Sequence, residues 1–195
     1  MHQILTVAVS DDRTAPMSPL ADEGALLVAA RSDPEAFGVV YLRYLPRIYR
    51  YLRLRCAADA DAADLAQEVF ERALAALPKY RDKGLPFGAW LFAIARNLSA
   101  DAARHSRRVE PLLPFGEDLV GSLGPEPQLL RREAIEEITA LVATLDSDRR
   151  ELLALRFGAG LTAREIAVVL GRSEGAVQQQ FTRLLSMLKE RFHDR

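Results

Sequence analysis

Apolar residues recur along most of this chain at the three- and four-residue spacing of amphipathic α-helices, and almost no stretch alternates as a β-strand does. The chain is therefore expected to be all-α. Asp33 followed by Pro34 is typical of a helix start, and Pro46 is expected to kink that helix or to break one of its hydrogen bonds. Periodicity and capping residues predict helices at about 34–56, 61–77, 86–108, 128–144, 148–157, 162–170 and 174–191.

Residues 109–127 interrupt this pattern. They contain four prolines, three glycines, four acidic residues and no basic residue, a composition that cannot continue a helix. We interpret them as an acidic, Pro/Gly-rich linker between two small helical domains. The predicted division is an N-terminal tail at 1–20, a helical bundle at 21–108, the linker at 109–127 and a C-terminal helix-turn-helix domain at 128–195.

The sharpest local signal lies in residues 161–188. Thr162 and Glu165 match the capping box, in which the two side chains satisfy free amides at a helix start. Gly171 suits a left-handed turn after this helix, and Ser173 can cap the next one. Two short helices joined by a turn that contains glycine are the pattern of a helix-turn-helix.

The second of these helices has an apolar face and a polar face. Its inward arc consists of Val177, Phe181, Leu184, Leu185 and Leu188. The opposite arc carries Ala176, Gln179 and Arg183, with Gln178 and Thr182 at its flanks. Glutamine can pair with adenine and arginine with guanine in a major groove, so this face suits DNA reading. An ordinary solvated face is the alternative, although such faces usually carry Lys and Glu.

The predicted helix at 86–108 also has a polar face with candidate chemistry. Trp90, Asn97 and Arg104 are spaced by seven residues and share that face, and Arg96, Arg107 and Arg108 extend it. Unpaired bases stack on aromatic rings while phosphates meet guanidinium groups, so the pattern suits single-stranded nucleic acid. A core tryptophan on a basic amphipathic helix remains the alternative.

The predicted helix at 61–77 carries an acidic arc, which consists of Asp64, Gln67, Glu68 and Glu71. This arc is either a solvated face or a docking surface for a basic partner. A third interpretation is a helical-bundle metalloenzyme, whose carboxylates would be Asp59, Asp61, Asp64 and Glu68. The chain has no Glu-x-x-His pair of the kind that di-metal bundles use, and no catalytic triad or phosphate-binding loop. Neither enzymatic activity nor a cofactor is expected.

Charge and cysteine content narrow the class of protein. The 26 basic and 27 acidic residues give a net charge of −1, which excludes a strongly basic, histone-like binder. The charge is segregated, because residues 43–55 hold five arginines and no acid. A single cysteine, Cys56, excludes an internal disulfide and fits a reducing cytoplasm. No apolar run approaches the ~18 residues that span a bilayer, and no signal peptide is indicated, so we expect a cytoplasmic protein.

Taken in order, three segments of the chain resemble bacterial sigma factors of the extracytoplasmic-function (ECF) type. These segments are DAADLAQEVFERALAALPKY, PFGAWLFAIARNLSADAARHSRR and LDSDRRELLALRFGAGLTAREIAVVLGRSEGAV. The resemblance covers about 21–195. It implies a subunit without enzymatic activity that binds core RNA polymerase through its β′ and β subunits, directs it to promoter DNA and helps to melt the minus-ten element. It also implies an anti-sigma protein as a partner.

The resemblance assigns site residues to three surfaces. The family motif D-L-x-Q-E-V-F implies polymerase contacts at Asp64, Gln67, Glu68, Phe70 and Glu71, with Leu65 and Val69 as packing residues. The minus-ten contacts would be Lys79, Tyr80, Arg81, Phe87, Trp90, Arg96, Asn97, Arg104, Arg107 and Arg108. The minus-thirty-five contacts would be Arg172, Ser173, Glu174, Ala176, Gln178, Gln179, Thr182 and Arg183.

The chain departs from the family pattern at two places. Ala176 and Gln178–Gln180 stand where many relatives have a threonine and a basic-Ser-Arg triplet, which implies weaker phosphate contacts. The departure leaves the promoter sequence open but not the mode of docking. Asp146 stands where many relatives have proline, and aspartate still caps a helix well. The alternative to a sigma factor is a helix-turn-helix activator or repressor with a helical sensor or dimerisation domain.

Overall fold

The computed structural model describes residues 23–56, 58–81, 84–106 and 139–193, and all regular secondary structure within these ranges is helical. The N-terminal helical group consists of α1 (Glu23–Ala29), α2 (Pro34–Arg53), α3 (Asp59–Ala76), a 3₁₀ turn (Leu77–Lys79) and α4 (Phe87–Ser106). The C-terminal helical group consists of helical residues 139–143, α5 (Ser147–Leu153), a π-helical turn (Ala154–Gly158), α6 (Ala163–Leu170) and α7 (Glu174–His193). The all-α prediction is confirmed. The tail at 1–20 and the linker at 109–127 lie outside the described residues, and the domain boundaries remain a prediction.

The helix predicted to start at Asp33 and Pro34 begins there in the structure. The Asp33 side chain accepts a hydrogen bond from the Glu35 amide at 2.9 Å, and Pro34 occupies the first turn. This helix, α2, is continuous through Pro46, which is exposed. The preceding α1 was not predicted, because seven residues are too short for periodicity to define a helix. Tertiary contacts hold it: the Tyr44 hydroxyl donates to Glu23 at 2.7 Å.

A π-helical turn replaces the end of the helix predicted at 148–157. The regular helix α5 ends at Leu153, and the Ala159 amide then donates to the carbonyl of Ala154, five residues back, at 2.9 Å. Periodicity does not predict such a turn, because it does not alter the pattern of apolar residues. The turn widens the helix end, and its last carbonyls face the N-terminal helical group.

The two helical groups share one hydrophobic core. Helix α4 packs against α6, and α2 packs against the π-helical turn. The fully buried side chains at this junction come from both groups and include Ile48, Tyr51, Leu91, Phe92, Leu155, Leu161 and Ile166. A smaller cluster inside the C-terminal group consists of Val142, Leu145, Leu153, Leu184 and Leu188. In this structure the two groups are therefore closed against each other.

We expect Thr162→Ala to lower the free energy of unfolding by about 1 kcal/mol, because it removes the acceptor for the Glu165 amide at the start of α6. Urea denaturation followed by circular dichroism measures the change. The control is Thr182→Ala, which removes an exposed hydroxyl bonded to the Gln178 carbonyl and should change stability by less than about 0.5 kcal/mol. An equal loss in both variants would contradict the importance of the cap.

Candidate nucleic-acid interface

The acidic arc predicted on α3 is a polar surface in the structure. Asp64, Gln67 and Glu71 are exposed, and Glu68 is half-buried. The Gln67 amide donates to Glu71 at 2.8 Å, and Arg72 pairs with Glu68 at 2.6 Å. These contacts join neighbouring side chains one turn apart, where exposed pairs stabilise little. The carboxylates thus remain available to a basic partner.

Phe70 is the one predicted polymerase contact on α3 that is buried in the structure, and its contact with polymerase remains a prediction. Its side chain is only 4% exposed and meets the Tyr41 ring edge-on, with a centroid separation of 4.7 Å. In this structure Phe70 packs α3 against α2 and does not form part of the surface. Val69 is fully buried and Leu65 partly buried, so the prediction that both are packing residues is confirmed.

Three aromatic rings meet where the 3₁₀ turn approaches the start of α4. The Tyr80 ring lies 5.4 Å from the Phe87 centroid and 4.9 Å from the Trp90 centroid, and Phe87 and Trp90 are 5.2 Å apart. Phe87 is only 2% exposed in this structure, and its contact with a base remains a prediction. Tyr80 and Trp90 are half-buried and offer the accessible part of this aromatic cluster.

The remaining minus-ten candidates lie in or just after the 3₁₀ turn and further along α4. Lys79, Arg81, Asn97 and Arg104 are exposed, and Arg104 pairs with Asp101 on its own helix. Trp90 is therefore followed along α4 by the exposed polar residues Asn97 and Arg104, as the seven-residue spacing predicts. Arg96 lies partly against the C-terminal group, with its Nε atom 3.7 Å from Glu151. Arg107 and Arg108 lie outside the described residues.

The helix-turn-helix has the predicted caps. The Thr162 amide donates to Glu165 at 2.8 Å while the Glu165 amide donates to the Thr162 hydroxyl at 3.2 Å, which completes the capping box. Gly171 ends α6 with a φ of 64°, the left-handed conformation that favours glycine. The Ser173 hydroxyl then accepts from the Ala176 amide at 3.2 Å. These local bonds fix the turn that orients α7.

Helix α7 presents the polar face that was predicted to read DNA. Gln178, Gln179, Thr182 and Arg183 are exposed, while Ala176 is half-buried. Among the residues predicted to face inward, Val177, Leu184 and Leu188 are buried and Phe181 and Leu185 half-buried. The face is open to solvent even though the two helical groups are closed.

Residues at the beginning of α7 make contacts of their own. The Arg172 guanidinium donates to Gln180 at 2.9 Å and to Asp148 at 2.8 Å, so it ties the turn to the start of α5. Ser173 and Glu174 are exposed, and the Glu174 carboxylate accepts a hydrogen bond from the side-chain amide of Gln178 at 3.2 Å. Asp146 caps α5 by accepting from the Arg149 amide at 2.9 Å, which confirms the expected cap.

A buried carboxylate between the two helical groups was not predicted from the sequence. Glu151, only 7% exposed, accepts from the Tyr51 hydroxyl at 2.8 Å and lies 3.3 Å from the Arg55 guanidinium. Burial, followed by the charge of Glu151, raises the pKa of Tyr51 well above its usual value, so the phenol stays protonated and donates. No local sequence pattern indicates this contact, because its partners lie about a hundred residues apart in the chain.

Within the described ranges, no group of three or more His, Cys, Asp or Glu side chains could hold a metal ion. No helix in the described part of the chain is long and apolar enough to cross a membrane.

Comparison with known proteins identifies both parts of this chain. Residues 40–109 match the family model described as sigma-70 region 2, and residues 135–188 match sigma-70 region 4. The chain is 37% identical over 189 residues to the ECF RNA polymerase sigma factor ShbA of Streptomyces griseus, and the match covers 92% of this chain and 96% of ShbA. It is also 37% identical over 154 residues to the ECF sigma factor BldN of Streptomyces coelicolor, where it spans only 58% of the relative's length.

A solved structure shares the fold. The structure described as CnrH in complex with the cytosolic domain of CnrY superposes with a TM-score of 0.62 at 26% identity. The match covers 85% of this chain and 96% of CnrH, which is an RNA polymerase sigma factor of Cupriavidus metallidurans.

Phe70→Ala should lower the free energy of unfolding by about 3–5 kcal/mol, because it leaves a cavity between α2 and α3. Gln67→Ala, three residues away on the exposed arc, should change it by less than about 0.5 kcal/mol. Urea denaturation measures both. A Phe70→Ala variant whose free energy of unfolding is nearly unchanged would contradict the packing role of this side chain.

Proposed function

The chain belongs to the ECF family of bacterial RNA polymerase sigma factors, and on this premise we propose that it binds core RNA polymerase, directs it to specific promoters and assists promoter melting. The observation that carries the proposal is the order of the two family regions, with an exposed helix-turn-helix face on the second. A helix-turn-helix activator or repressor is not favoured, because that function would not explain the match of residues 40–109 to sigma-70 region 2.

The acidic arc on α3 is the proposed contact with polymerase. Asp64, Glu68 and Glu71 give it a negative potential, and the proposed partner is a basic surface of the β′ subunit. Charge complementarity of this kind mainly raises the association rate and fixes the docking orientation. Phe70 supports the arc from beneath by holding α3 against α2.

The aromatic cluster and the polar face of α4 are the proposed minus-ten reader. A base that leaves the duplex loses stacking worth a few kcal/mol, and the accessible edges of Tyr80 and Trp90 can replace it. Asn97 can donate to and accept from the edge of the flipped base, while Lys79, Arg81 and Arg104 hold phosphates. Phe87 contributes by packing beneath the other two rings.

The exposed face of α7 is the proposed minus-thirty-five reader. Gln178, Gln179 and Arg183 can reach base edges when α7 lies in the major groove, and Arg172 and Ser173 lie beside the helix N-terminus, where phosphates bind. The three consecutive glutamines bring no positive charge to this face, so phosphate neutralisation is weaker than a basic triplet would provide. Stable binding to a promoter therefore depends on polymerase.

The protein is proposed to act as a subunit without enzymatic activity of its own, in the cytoplasm where transcription occurs. CnrH was solved in complex with the cytosolic domain of CnrY. By analogy, we propose that a separate inhibitory protein binds this chain as well.

Reconstituted run-off transcription tests the function. Purified chain added to core polymerase should yield discrete start sites that core alone does not produce, and mapping these sites identifies the promoter sequence. Transcripts no more specific than those of core alone would contradict the proposal.

Two variants should separate docking from melting. Glu68→Lys should weaken binding to core by about tenfold or more, since it places a cation against a basic partner. Asn97→Ala should leave core binding unchanged and reduce the permanganate reactivity of melted bases. Glu190→Lys makes the same charge change at an exposed position of α7 and controls for net charge. Equal loss of core binding in all three variants would contradict this division of roles.

A further inference from the structure

Helix α1 is joined to the aromatic cluster through Tyr44. The Tyr44 hydroxyl donates to the carboxylate of Glu23, in the first turn of α1, at 2.7 Å. The Tyr44 ring meets the Phe87 ring edge-on, with a centroid separation of 5.7 Å. Phe87 in turn packs against Tyr80 and Trp90, the two accessible rings of the cluster. A continuous line of contacts therefore runs from the first residue of α1 to the rings that a base would meet.

Tyr44 is buried, and its position depends on Glu23. The residue is only 4% exposed, and a Cβ atom at Gly88 would lie 3.0 Å from the Tyr44 Cε1 atom, so the ring packs directly against the start of α4. Burial, followed by the hydrogen bond with Glu23, raises the pKa of Tyr44 above its usual value, so the phenol stays protonated and donates. A buried hydroxyl that loses its acceptor destabilises the arrangement that buries it. Glu23 therefore helps to fix the place of the ring.

The other end of α1 reaches the cluster through Arg31, which lies two residues after the helix. Its guanidinium donates to the backbone carbonyl of Tyr80 at 3.0 Å. The chain leaves helical geometry at Tyr80, because this residue follows the 3₁₀ turn with an extended backbone. Backbone groups in loops depend on partners outside regular structure, and a charged donor makes one of the stronger hydrogen bonds. Arg31 thus holds the point at which the loop toward α4 begins.

Neither contact of α1 belongs to the surfaces proposed above. The match to sigma-70 region 2 covers residues 40–109 and therefore includes neither Glu23 nor Arg31. Between these two residues, Leu27 is 7% exposed and anchors α1 in the core. The helix is short and is fixed at its middle, so both of its end contacts keep their places relative to the aromatic cluster.

We propose that α1 is a positioning element of the minus-ten reader, whose two end contacts order the aromatic cluster before a base stacks on it. Glu23 acts through the Tyr44 ring, and Arg31 acts through the Tyr80 carbonyl. Neither residue touches the base. Ordering side chains at the moment of binding costs free energy, so a cluster that is ordered in advance keeps more of the stacking energy for holding the base. This inference rests on the function proposed for the cluster.

Trp90 reports the order of the cluster in the free full-length chain, because it is the only tryptophan of the sequence. Glu23→Ala and Arg31→Ala should each increase the quenching of its fluorescence by acrylamide and weaken its near-ultraviolet circular dichroism. The matched controls are Glu35→Ala, an exposed first-turn glutamate of α2, and Val28→Ala, an exposed residue of α1. Unchanged Trp90 signals in the two test variants, or equal changes in the controls, would overturn the proposal.

Conservative variants distinguish these contacts from a general loss of packing. Tyr44→Phe keeps the ring and removes only the hydroxyl, so it should change the Trp90 signals in the same direction as Glu23→Ala. The double variant should be no worse than Glu23→Ala alone, since both changes remove one hydrogen bond. Arg31→Lys should retain most of the parent signals, because an ammonium group can donate to the same carbonyl. Additive changes in the double variant, or an Arg31→Lys variant as impaired as Arg31→Ala, would overturn the proposal.

Promoter melting tests the consequence, with core polymerase and a promoter mapped by the run-off assay. Glu23→Ala and Arg31→Ala should bind core as the parent protein does, and each should lower the permanganate reactivity of melted bases by about three- to tenfold, the effect of losing one hydrogen bond. Altered Trp90 signals with unchanged melting would overturn the positioning role. A parent protein that yields no specific transcripts would instead contradict the proposed function, and the Trp90 signals would still decide whether α1 orders the cluster.

Discussion

A buried carboxylate, Glu151, joins the two helical groups of this protein. An ionised carboxylate in an apolar interior is tolerated only with hydrogen bonds and opposite charge around it. Tyr51, Arg55 and Arg96 provide these, and all three come from the other helical group. The requirement of one side chain thus brings α2, α4 and α5 together, and the apolar residues around it complete a common core.

The helices and their caps could be predicted because they depend on local chemistry. The Asp33, Thr162 and Ser173 caps bond amides within three residues, so sequence spacing alone defines them. The exposed faces of α3 and α7 followed from helical periodicity. The burial of Phe70 and Phe87 did not follow from the family motif. A motif indicates which residues a family uses, but it does not indicate whether a side chain contacts a partner protein or packs inside its own domain. The contacts of Arg47 and Glu151 join residues about a hundred positions apart, which no local pattern contains.

The near-neutral net charge of the chain agrees with the distribution of charged side chains in the structure. Acidic, basic and polar surfaces lie on separate helices, and Arg47, Arg50 and Arg55 of the run at 43–55 are bound to other parts of the protein. Those arginines are therefore not available to hold DNA phosphates non-specifically. Its reading faces become effective once a larger partner places them on the duplex, which agrees with the role proposed for a sigma factor.

The most direct test of this account is a cryo-electron microscopy structure of the chain with core polymerase and its promoter DNA. We expect the acidic arc of α3 to lie against polymerase and α7 to lie in the major groove. An initiation complex in which the acidic arc of α3 faces away from polymerase, or in which α7 lies outside the major groove, would contradict the proposed function.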